Sequence, residues 1–519
     1  MRTLVPLCVA AATTLLVRAA TAGCGFYAPP ATATGAAIVN DADQVSYLRE
    51  GNRVALTMST NYKGPAEDFA MIVPVPVVLK KEAVKTLSPA IFTHLEKLTA
   101  PRVVEMDEDD PCRVLKEGAV AATGGAPGGA IGGGFGKGGG GGGYGVTVEA
   151  AFVTGEYEIV VLSATESDGL ERWLVDHKYK IPEGAATALA PYVTAQQKFV
   201  VAKVDKTKVA RDPAGVVVLS PLRFVYETND LRLPVRLGLL NAPKGGKQDL
   251  IVYLLAKGKR LEAANYPNAF VPTNLDVVEG TEHKLGPFYA SLFDATLAKA
   301  GGRAVVTEYA WNAGGCGLPC TSTPLVADEI KKLGADDLVT GEVAPDDFTL
   351  TRVHTRYDAA TLTEDIVFRT GDPVSGGRDG DPGAEGESAS KGAGLDAFQA
   401  RYVVRHLWKG PIACEKPLRG AWLPHHGSAN GPALSVAGAP RDVVLASAVV
   451  SPVKQLALTG TSPAFGAMPT LSTSAPKKKT EKPDAPAAAP EPSRLPWILG
   501  AGGALLSLGL VFFVLRRRA

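Results

Sequence analysis

Residues 37–59 read AIVNDADQVSYLREGNRVALTMS, and this stretch decides the fold class. Apolar and polar residues alternate in two runs, Ala37–Arg49 and Arg53–Ser59, with Glu50-Gly51-Asn52 between them. Alternation on both sides of a short turn that contains glycine predicts a β-hairpin with one buried face. We therefore expect a β-sheet early in the chain.

The segments that follow the hairpin predict one more extended stretch and the first helix. Phe69–Leu79 is an apolar run interrupted by two prolines. Proline cannot donate a hydrogen bond to a sheet, so this run predicts an edge strand or an extended segment. Thr86–Leu98 carries apolar residues at helical spacing and contains Ser88-Pro89, a capping residue followed by a first-turn proline, which predicts a helix.

The rest of the chain alternates strand patterns with a few helix patterns. Further strands are predicted at Val146–Val153, Glu156–Ser163, Lys198–Val204, Val216–Tyr226, Leu250–Leu255, Asp347–Tyr357 and Phe398–Trp408, and further helices at Asp168–Tyr179, Phe288–Ala300 and Pro324–Leu333. The last of these helices has Thr323 as its predicted cap and Gly334 as its predicted end. The pattern predicts an α+β fold: a strand-rich, disulfide-tied ectodomain with a few packed helices, plus one C-terminal transmembrane helix.

Length and composition limit the class of protein. The chain has 519 residues, which is too many for one ordinary domain. Hydrophobic residues make up 46% and charged residues 21%, a balance that is typical of globular proteins. The 54 basic residues nearly cancel the 53 acidic ones, so we expect no nucleic-acid partner that is bound by phosphate neutralisation.

The N-terminal segment predicts secretion. Residues 1–22 begin with a basic Arg2, continue as an apolar run and end on Ala20-Thr21-Ala22, which has the form of a signal-peptidase site. These residues are therefore interpreted as a signal peptide. A second interpretation treats residues 21–24 as a lipoprotein cleavage box, with a lipid on Cys24.

The C-terminal segment predicts a membrane anchor. Residues 495–515 contain no charge, and Arg516-Arg517-Arg518 follows at once. About 20 helical residues at about 1.5 Å each cover about 30 Å, the thickness of a bilayer core. The lipid bilayer is thus a predicted partner through residues 495–515, with the basic tail 516–519 on the cytoplasmic side. A processed sorting tail is the alternative. The expected location is the cell membrane, with the ectodomain in the periplasm or on the cell surface.

Composition divides the chain between the signal peptide and the C-terminal helix into three regions. Residues 23–344 form a predicted α+β region, 345–460 a smaller strand-rich region, and 461–494 a stalk rich in Pro, Ala and Lys. Gly124–Gly145 holds 15 glycines in 22 residues, which predicts a flexible loop. Strand patterns lie on both sides of it, whereas a dinucleotide-binding loop requires a helix after it.

Five cysteines follow the predicted signal peptide. The disulfide candidates are Cys24, Cys112, Cys316, Cys320 and Cys414. Outside the cytoplasm disulfides are expected, and the odd number leaves one cysteine free, lipidated or paired between chains. The preferred pairing joins Cys24 to Cys112, and Cys414 to Cys316 or Cys320.

Two clusters could carry chemistry. Cys316-Gly-Leu-Pro-Cys320 has three intervening residues, whereas thioredoxin-like redox pairs have two at a helix start, so structural disulfides are favoured over a redox centre or a metal pair. The acidic run EMDEDD could bind Ca²⁺ through Glu105, Asp107, Glu108, Asp109 and Asp110. It lacks the spacing of an EF-hand loop, and a solvated acidic loop is favoured.

The sequence predicts no catalytic residue, cofactor or bound metal beyond that weak calcium candidate. The adjacent His425 and His426 are interpreted as surface or loop residues, and neither H-E-x-x-H nor G-x-S-x-G occurs in the chain.

A combination of motifs resembles one bacterial family. The motifs are CGFY at 24–27, GPAEDFAMIVPVP at 64–76, APR at 100–102, GEYEIVVLSA at 155–164, QKFVVAKV at 197–204, LSPLRF at 219–224 and LPVRLG at 233–238. Together they resemble the family catalogued as domain of unknown function 2330, over about residues 23–340 and more loosely to about 425. The resemblance implies a secreted or envelope protein of unassigned activity, and it supplies no catalytic residues. It also implies two residues between the cysteines that follow Trp311, where this chain has three.

Three functional hypotheses follow. The favoured one is a non-enzymatic envelope protein with a binding or structural role, for which an envelope protein or a glycan would be the ligand. The alternative is an extracytoplasmic enzyme, either a thiol-disulfide oxidoreductase that uses Cys316 and Cys320 or a hydrolase without a recognisable motif. A third hypothesis, calcium-dependent adhesion, depends on the acidic run at 105–110.

Overall fold

The structure is a computed structural model that describes part of the chain. The described residues are 26–29, 39–63, 69–112, 144–211, 217–241, 247–271, 273, 275–277, 285–316, 320, 322–376, 395–415, 417 and 422–424. They belong to the first of two compact units, Met1–Ala475, whereas the second unit, Pro476–Ala519, lies outside them.

Several predicted segments lie outside the described residues. These are the signal peptide 1–22, Cys24, residues 124–143 of the glycine segment, the paired histidines at 425–426, the stalk 461–494, the helix 495–515 and the tail 516–519. Within the part that is described, no helix is both long enough and apolar enough to cross a bilayer.

The described chain is rich in strands and has few helices, which confirms the predicted α+β class. The strands in chain order are β1 (Phe26–Ala28), β2 (Val39–Glu50), β3 (Arg53–Lys63), β4 (Ala70–Val75), β5 (Val84–Thr86), β6 (Arg102–Glu108), β7 (Val146–Thr154), β8 (Tyr157–Ala164), β9 (Lys198–Val204), β10 (Ala210–Arg211), β11 (Val217–Val218), β12 (Leu222–Glu227), β13 (Arg232–Leu233), β14 (Gln248–Lys257), β15 (Leu261–Ala263), β16 (Asn268–Phe270), β17 (Leu275–Val277), β18 (Val305–Asn312), β19 (Phe348–Tyr357), β20 (Ile366–Thr370), β21 (Ser375–Gly376), β22 (Ala397–Gln399), β23 (Arg401–His406) and β24 (Trp422–Pro424). The helices are α1 (Ala90–Thr99), α2 (Ser167–Asp176), α3 (Ala185–Thr194), α4 (Leu285–Lys299), α5 (Ala327–Ile330) and α6 (Asp336–Leu338).

Two large sheets pack face to face. One has five strands in the order β1-β4-β9-β8-β7. The other has ten, in the order β21-β22-β18-β19-β14-β2-β3-β12-β5, with β16 also paired to β18. A single apolar cluster takes side chains from both, such as Val73 and Val200 on the smaller sheet and Leu56 and Phe224 on the larger. The main core therefore lies between the sheets, as in a β-sandwich.

Helices cover the outer face of each sheet. On the five-stranded sheet, Leu170 and Trp173 of α2 and Leu189 of α3 pack against strand residues such as Phe199. On the ten-stranded sheet, α1 and the α5–α6 segment cover one part of the face, and α4 covers another. These contacts build four layers, helix–sheet–sheet–helix, because both faces of each sheet carry apolar residues.

A smaller sheet completes the described architecture around α4. Its order is β17-β23-β6-β24, and β17, β23 and β6 are parallel. Val103 of β6 and Tyr402 of β23 pack in the same cluster as Phe293 of α4. Helix α4 thus lies between this sheet and the ten-stranded sheet.

The predicted hairpin is confirmed as β2 and β3. The two strands pair from Glu50 opposite Arg53 to Val39 opposite Lys63, with one irregularity near residues 40–43. Gly51 occupies the turn with φ +61°, a conformation that glycine adopts without steric penalty. The hairpin lies in the middle of the ten-stranded sheet, where β2 also pairs with β14 in parallel.

Phe69–Leu79, which was predicted as an edge strand or an extended segment, contains β4, and β4 is an interior strand of its sheet. β4 pairs with β1 on one side and with β9 on the other. β1 covers only Ala70–Ile72, so Pro74 lies beyond the end of β1 and pairs across to Phe199 of β9 alone. The missing N–H of proline is tolerated here because the ladder on one side has already ended.

The predicted helix at 324–333 begins and ends differently. It starts at Ala327 rather than Pro324, and the Glu329 carboxylate accepts a hydrogen bond from the Val326 N–H at 3.1 Å. Gly334 does not end the segment, which continues through α6. Gly334 has φ +133° and lies directly against Ala55 of β3, where a side chain would collide. Helix α3 was not predicted from the sequence.

The regions predicted on either side of residues 344/345 share one sheet. β19, which follows that position, lies between β14 and β18 in the ten-stranded sheet. The strands join because alternate residues of β19, such as Val353 and Leu350, supply both the inner core and the outer cluster.

Candidate functional site

The structure corrects the preferred cysteine pairing. Cys112 and Cys414 form a disulfide with their Cα atoms 5.5 Å apart, although 302 residues separate them. The two cysteines follow β6 and β23, which are parallel neighbours from Arg102 opposite Arg401 onward. Parallel strands end at the same sheet edge, so the segments that follow them meet there. This long-range pairing is invisible in the spacing of the cysteines.

The remaining two described cysteines are bonded to each other. Cys316 and Cys320 form a disulfide with a Cα–Cα distance of 5.8 Å. The predicted pairing of Cys414 with one of them is therefore wrong. Cys320 is exposed, whereas Cys316 packs against the cluster that includes α1. The helix that follows begins only at Ala327, so this pair does not open a helix as thioredoxin-like pairs do.

The acidic run at 105–110 is not gathered into a cation site. Most of it belongs to β6, where successive side chains point to opposite faces. The Glu105 carboxylate lies 2.9 Å from Nε2 of His406, and the buried Glu108 accepts a hydrogen bond from the Trp408 N–H at 3.0 Å. Asp110 accepts from the Cys112 N–H at 2.9 Å. Among the described residues, no three His, Cys, Asp or Glu side chains are placed to hold a metal ion together.

The outer face of the ten-stranded sheet carries a set of buried charges that no sequence pattern predicted. β14 and β19 pair with Asp249 opposite Arg356 and Tyr253 opposite Arg352, so these side chains and His354 share one face. β18 has a bulge between Thr307 and Tyr309, and Glu308 is the extra residue. A bulge changes the direction of the side chains around it, and this one brings Glu308 to the same face.

Seven residues, named here the charged chain, alternate in charge across this face. Its members are Glu96, Arg352, Glu308, His354, Asp249, Arg356 and Asp294. Arg352 Nε donates to Glu308 Oε2 at 2.6 Å, and His354 Nδ1 lies 2.8 Å from Glu308 Oε1. His354 Nε2 lies 3.2 Å from Asp249 Oδ1.

The ends of the charged chain are supplied by two helices. Arg352 Nη1 donates to Glu96 Oε2 of α1 at 2.7 Å, and Arg356 Nη1 donates to Asp294 of α4. The central groups Glu308, Arg352 and His354 have fully buried side chains, whereas the Asp294 side chain is 38% exposed. The charged chain therefore ties both α1 and α4 to the same face of the ten-stranded sheet.

Electrostatic interactions favour the ionised forms of the groups at the centre of the charged chain. Burial acts to raise the pKa of Glu308, but His354 and Arg352 outweigh it and lower that pKa to about 2. Burial acts to lower the pKa of His354, but Glu308 and Asp249 outweigh it and raise that pKa. The His354 ring also stacks on Phe293, with the ring centroids 4.0 Å apart. Both ring nitrogens of His354 thus face carboxylate oxygens, an arrangement that favours the protonated imidazole.

This arrangement favours structure over catalysis. A general base needs an unoccupied lone pair within reach of a substrate proton. Both ring nitrogens of His354 face carboxylates, and the ring has no exposed surface. In the sequence, the buried charges of β19 are visible only as the pattern Arg352-x-His354-x-Arg356. Charged residues at every second position usually indicate the solvent-exposed face of a strand.

A cavity of about 220 Å³, named here the end cavity, lies at one end of the sandwich. Pro74 and Pro76 at the end of β4 form one side, and Tyr226 at the end of β12 forms another. Asp230 and Arg232 contribute charged groups to its lining. The cavity is a concave site with both apolar and polar groups, which is the general character of ligand sites.

Comparison with known proteins gives one match. The model of a family described as an uncharacterised protein conserved in bacteria (DUF2330) matches residues 18–369, which is more than half of the chain. No curated protein and no solved structure matches this chain. The matched range contains the whole charged chain and Cys316–Cys320, whereas Cys414 lies beyond it.

Proposed function

Because the chain belongs to the DUF2330 family of uncharacterised bacterial proteins, whose description names no activity, we propose a function from its own residues. The proposal is a cell-envelope protein, anchored to the membrane by residues 495–515, whose ectodomain lies outside the cytoplasm and has a non-enzymatic binding or structural role.

The Cys112–Cys414 disulfide carries the proposal. It joins residues 302 positions apart, and such bonds persist in oxidising compartments but are rare in the cytosol. The predicted signal peptide at 1–22 and the uncharged segment 495–515 support the same location.

The pairing of the buried charges with one another supports a non-enzymatic role. Catalytic acids and bases are usually partly accessible and poised to exchange a proton. In the charged chain, the central Glu308 and His354 are engaged with other protein groups and are fully buried. Their arrangement suits a rigid scaffold that displays a surface or a cavity.

Reporter fusions test the location and the anchor. Alkaline phosphatase, which is active only where its disulfides form, is fused after residue 494 or after residue 519 of the chain in a bacterial host. We expect activity from the first fusion and none from the second, because the segment 495–515 should separate the two sites. Deletion of residues 1–22 is the control and should abolish the activity. An inactive fusion after residue 494 would contradict the proposal.

A second candidate function, thiol-disulfide exchange, is favoured by the direct pairing of Cys316 with Cys320. A disulfide that closes so short a loop contributes only about 2 kcal/mol in the chain-entropy treatment, against about 6 kcal/mol for a loop of some 300 residues. Stability therefore explains Cys316–Cys320 less well than Cys112–Cys414. Exposure of Cys320 also leaves one sulfur open to a substrate thiolate.

The exchange would proceed in two steps. A substrate thiolate attacks one sulfur of the pair, forms a mixed disulfide and releases the other cysteine as a thiolate. A second substrate thiol then displaces the bound cysteine, so the substrate is oxidised to a disulfide. The pair gains the two electrons and ends as two thiols.

Titration with dithiothreitol tests this candidate on the full chain in detergent. Thiols exposed at each concentration are trapped with N-ethylmaleimide and located by mass spectrometry. For an exchange site we expect Cys316–Cys320 to open at a reductant concentration about tenfold or more below that for Cys112–Cys414. The Cys316→Ser variant, which keeps the exposed Cys320, should trap a mixed disulfide on Cys320. Equal resistance of the two disulfides would leave only the structural role.

A further inference from the structure

The end cavity has walls that are fixed before any ligand arrives. Three prolines, Pro74, Pro76 and Pro234, line it, and each has a restricted φ. Tyr226 is almost fully buried and lines the cavity from the end of β12. A site with rigid walls loses little conformational entropy on binding.

The end of helix α3 fixes another side of the end cavity. The Gln197 N–H donates to the Tyr192 carbonyl at 3.0 Å, and the Gln196 N–H donates to the Val193 carbonyl at 2.9 Å. This is a Schellman motif, in which Gln196 takes φ +56° in place of the usual glycine. The motif sets the positions of Ala195 and Gln197, which line the cavity on either side of Gln196.

The polar lining is balanced in charge. Among the described residues around the end cavity, the charged ones are Asp230 and Arg232, and Arg232 Nε donates to Asp230 Oδ2 at 2.8 Å. The Thr228 hydroxyl accepts from the Asp230 N–H at 3.1 Å and fixes this turn. A charged ligand would meet an ion pair of zero net charge. A neutral ligand with donors and acceptors could bond to both members and to the Gln197 amide.

The size and the mixed surface narrow the ligand class. A volume of about 220 Å³ exceeds the roughly 150 Å³ of an engineered protein cavity that binds benzene. This space suits one six-membered ring with its substituents. Proline and tyrosine surfaces suit the C–H face of such a ring, while the Asp230–Arg232 pair and Gln197 suit hydroxyls at its edge.

We propose that the end cavity binds a neutral, polyhydroxylated ligand of one sugar ring, either free or at the end of a glycan. The inference rests on the proposed binding role and gives it a ligand class. Asp230 and Arg232 orient the hydroxyls, and the prolines with Tyr226 hold the ring.

Ligand-observed NMR on the full chain in detergent tests this inference. The neutral probes are glucose, galactose and N-acetylglucosamine, and the charged probes are glutamate, lysine and methyl phosphate. We expect saturation transfer to at least one neutral sugar and none to the charged probes. Asp230→Ala should weaken that binding about tenfold, because it removes one hydrogen-bonding partner and breaks the ion pair.

A matched pair of variants tests the position of the site. Ala195→Trp places a large ring at the cavity, and Thr187→Trp places the same ring on an exposed position of the same helix. We expect Ala195→Trp to abolish sugar binding and Thr187→Trp to bind as the wild type does.

Three results would overturn the inference: no sugar bound by the wild type, transfer to charged probes alone, or unchanged binding by Ala195→Trp. None of them would affect the alkaline phosphatase fusions, so failure of the ligand assignment is distinguishable from failure of the envelope location.

Discussion

Loss of the Cys112–Cys414 disulfide is expected to lower the free energy of unfolding by about 6 kcal/mol. The change is the double substitution Cys112→Ser with Cys414→Ser. The bond closes a loop of some 300 residues, and in the chain-entropy treatment the stabilisation grows with the logarithm of loop length. It also holds together the ends of the parallel strands β6 and β23, which are neighbours in the sheet but far apart in the sequence.

Denaturant unfolding under non-oxidising, non-reducing conditions, followed by tryptophan fluorescence, measures this effect on the full chain in detergent. The matched control is Cys316→Ser with Cys320→Ser, for which the short loop predicts only about 2 kcal/mol. If the two double variants lost the same stability, the assigned role of the long-range bond would be wrong.

The second large effect is expected from Glu308→Gln in the charged chain. Glu308 is fully buried and lies between Arg352 and His354. Removal of its charge leaves two buried cations with fewer counter-charges, and breaking a buried ion pair in this way costs about 3–5 kcal/mol. The expected result is a correspondingly lower unfolding midpoint in urea. The same measurement on Asp328→Asn serves as the control.

The control makes the same chemical change at the surface. Asp328 pairs with Lys332, and both side chains are more than half exposed. Exposed pairs contribute little, so Asp328→Asn should leave the midpoint almost unchanged. Equal midpoints for the two variants would show that the charged chain does not hold the helices to the sheet.

The pH dependence of stability gives an independent check on the same residues. The pKa of Glu308 falls to about 2 in the folded protein, so its contribution is present above the unfolded value of about 4.3 and is lost as the pH falls toward 2. The pKa of His354 is raised, so its contribution is complete below about 6.5 and is lost as the pH rises through the folded value. Glu308→Gln should weaken both dependences.

The local patterns of the sequence were sufficient for many of the elements. The hairpin β2–β3 followed from alternation within some twenty residues and from a turn glycine, all of which are adjacent in the chain. Helix α4 followed in the same way from apolar spacing and from the glycines after it. Such features depend on neighbours that the sequence itself displays.

The charged chain could not be found in this way. Glu96 meets Arg352 across 256 positions, and Asp249 meets His354 across 105. The antiparallel pairing of β19 with β14 and with β18 brings the strand residues of the charged chain to one face. The bulge at Glu308 adds a change of side-chain direction that no period of two predicts.

Cysteine pairing failed for a related reason. Cys112 and Cys414 meet because β6 and β23 run parallel, a topology that depends on α4 and on the sheets around it. The spacing of cysteines carries no information on that topology. The family resemblance, in contrast, was recognisable from short motifs and is confirmed by the match over residues 18–369.

The most direct test of the account is a non-reducing peptide map of the full chain isolated from a bacterial membrane fraction, with free thiols alkylated before digestion. The account predicts two linked pairs, Cys112 with Cys414 and Cys316 with Cys320. Alkylated thiols at Cys112 and Cys414, or a peptide that links Cys112 to Cys24, would contradict it.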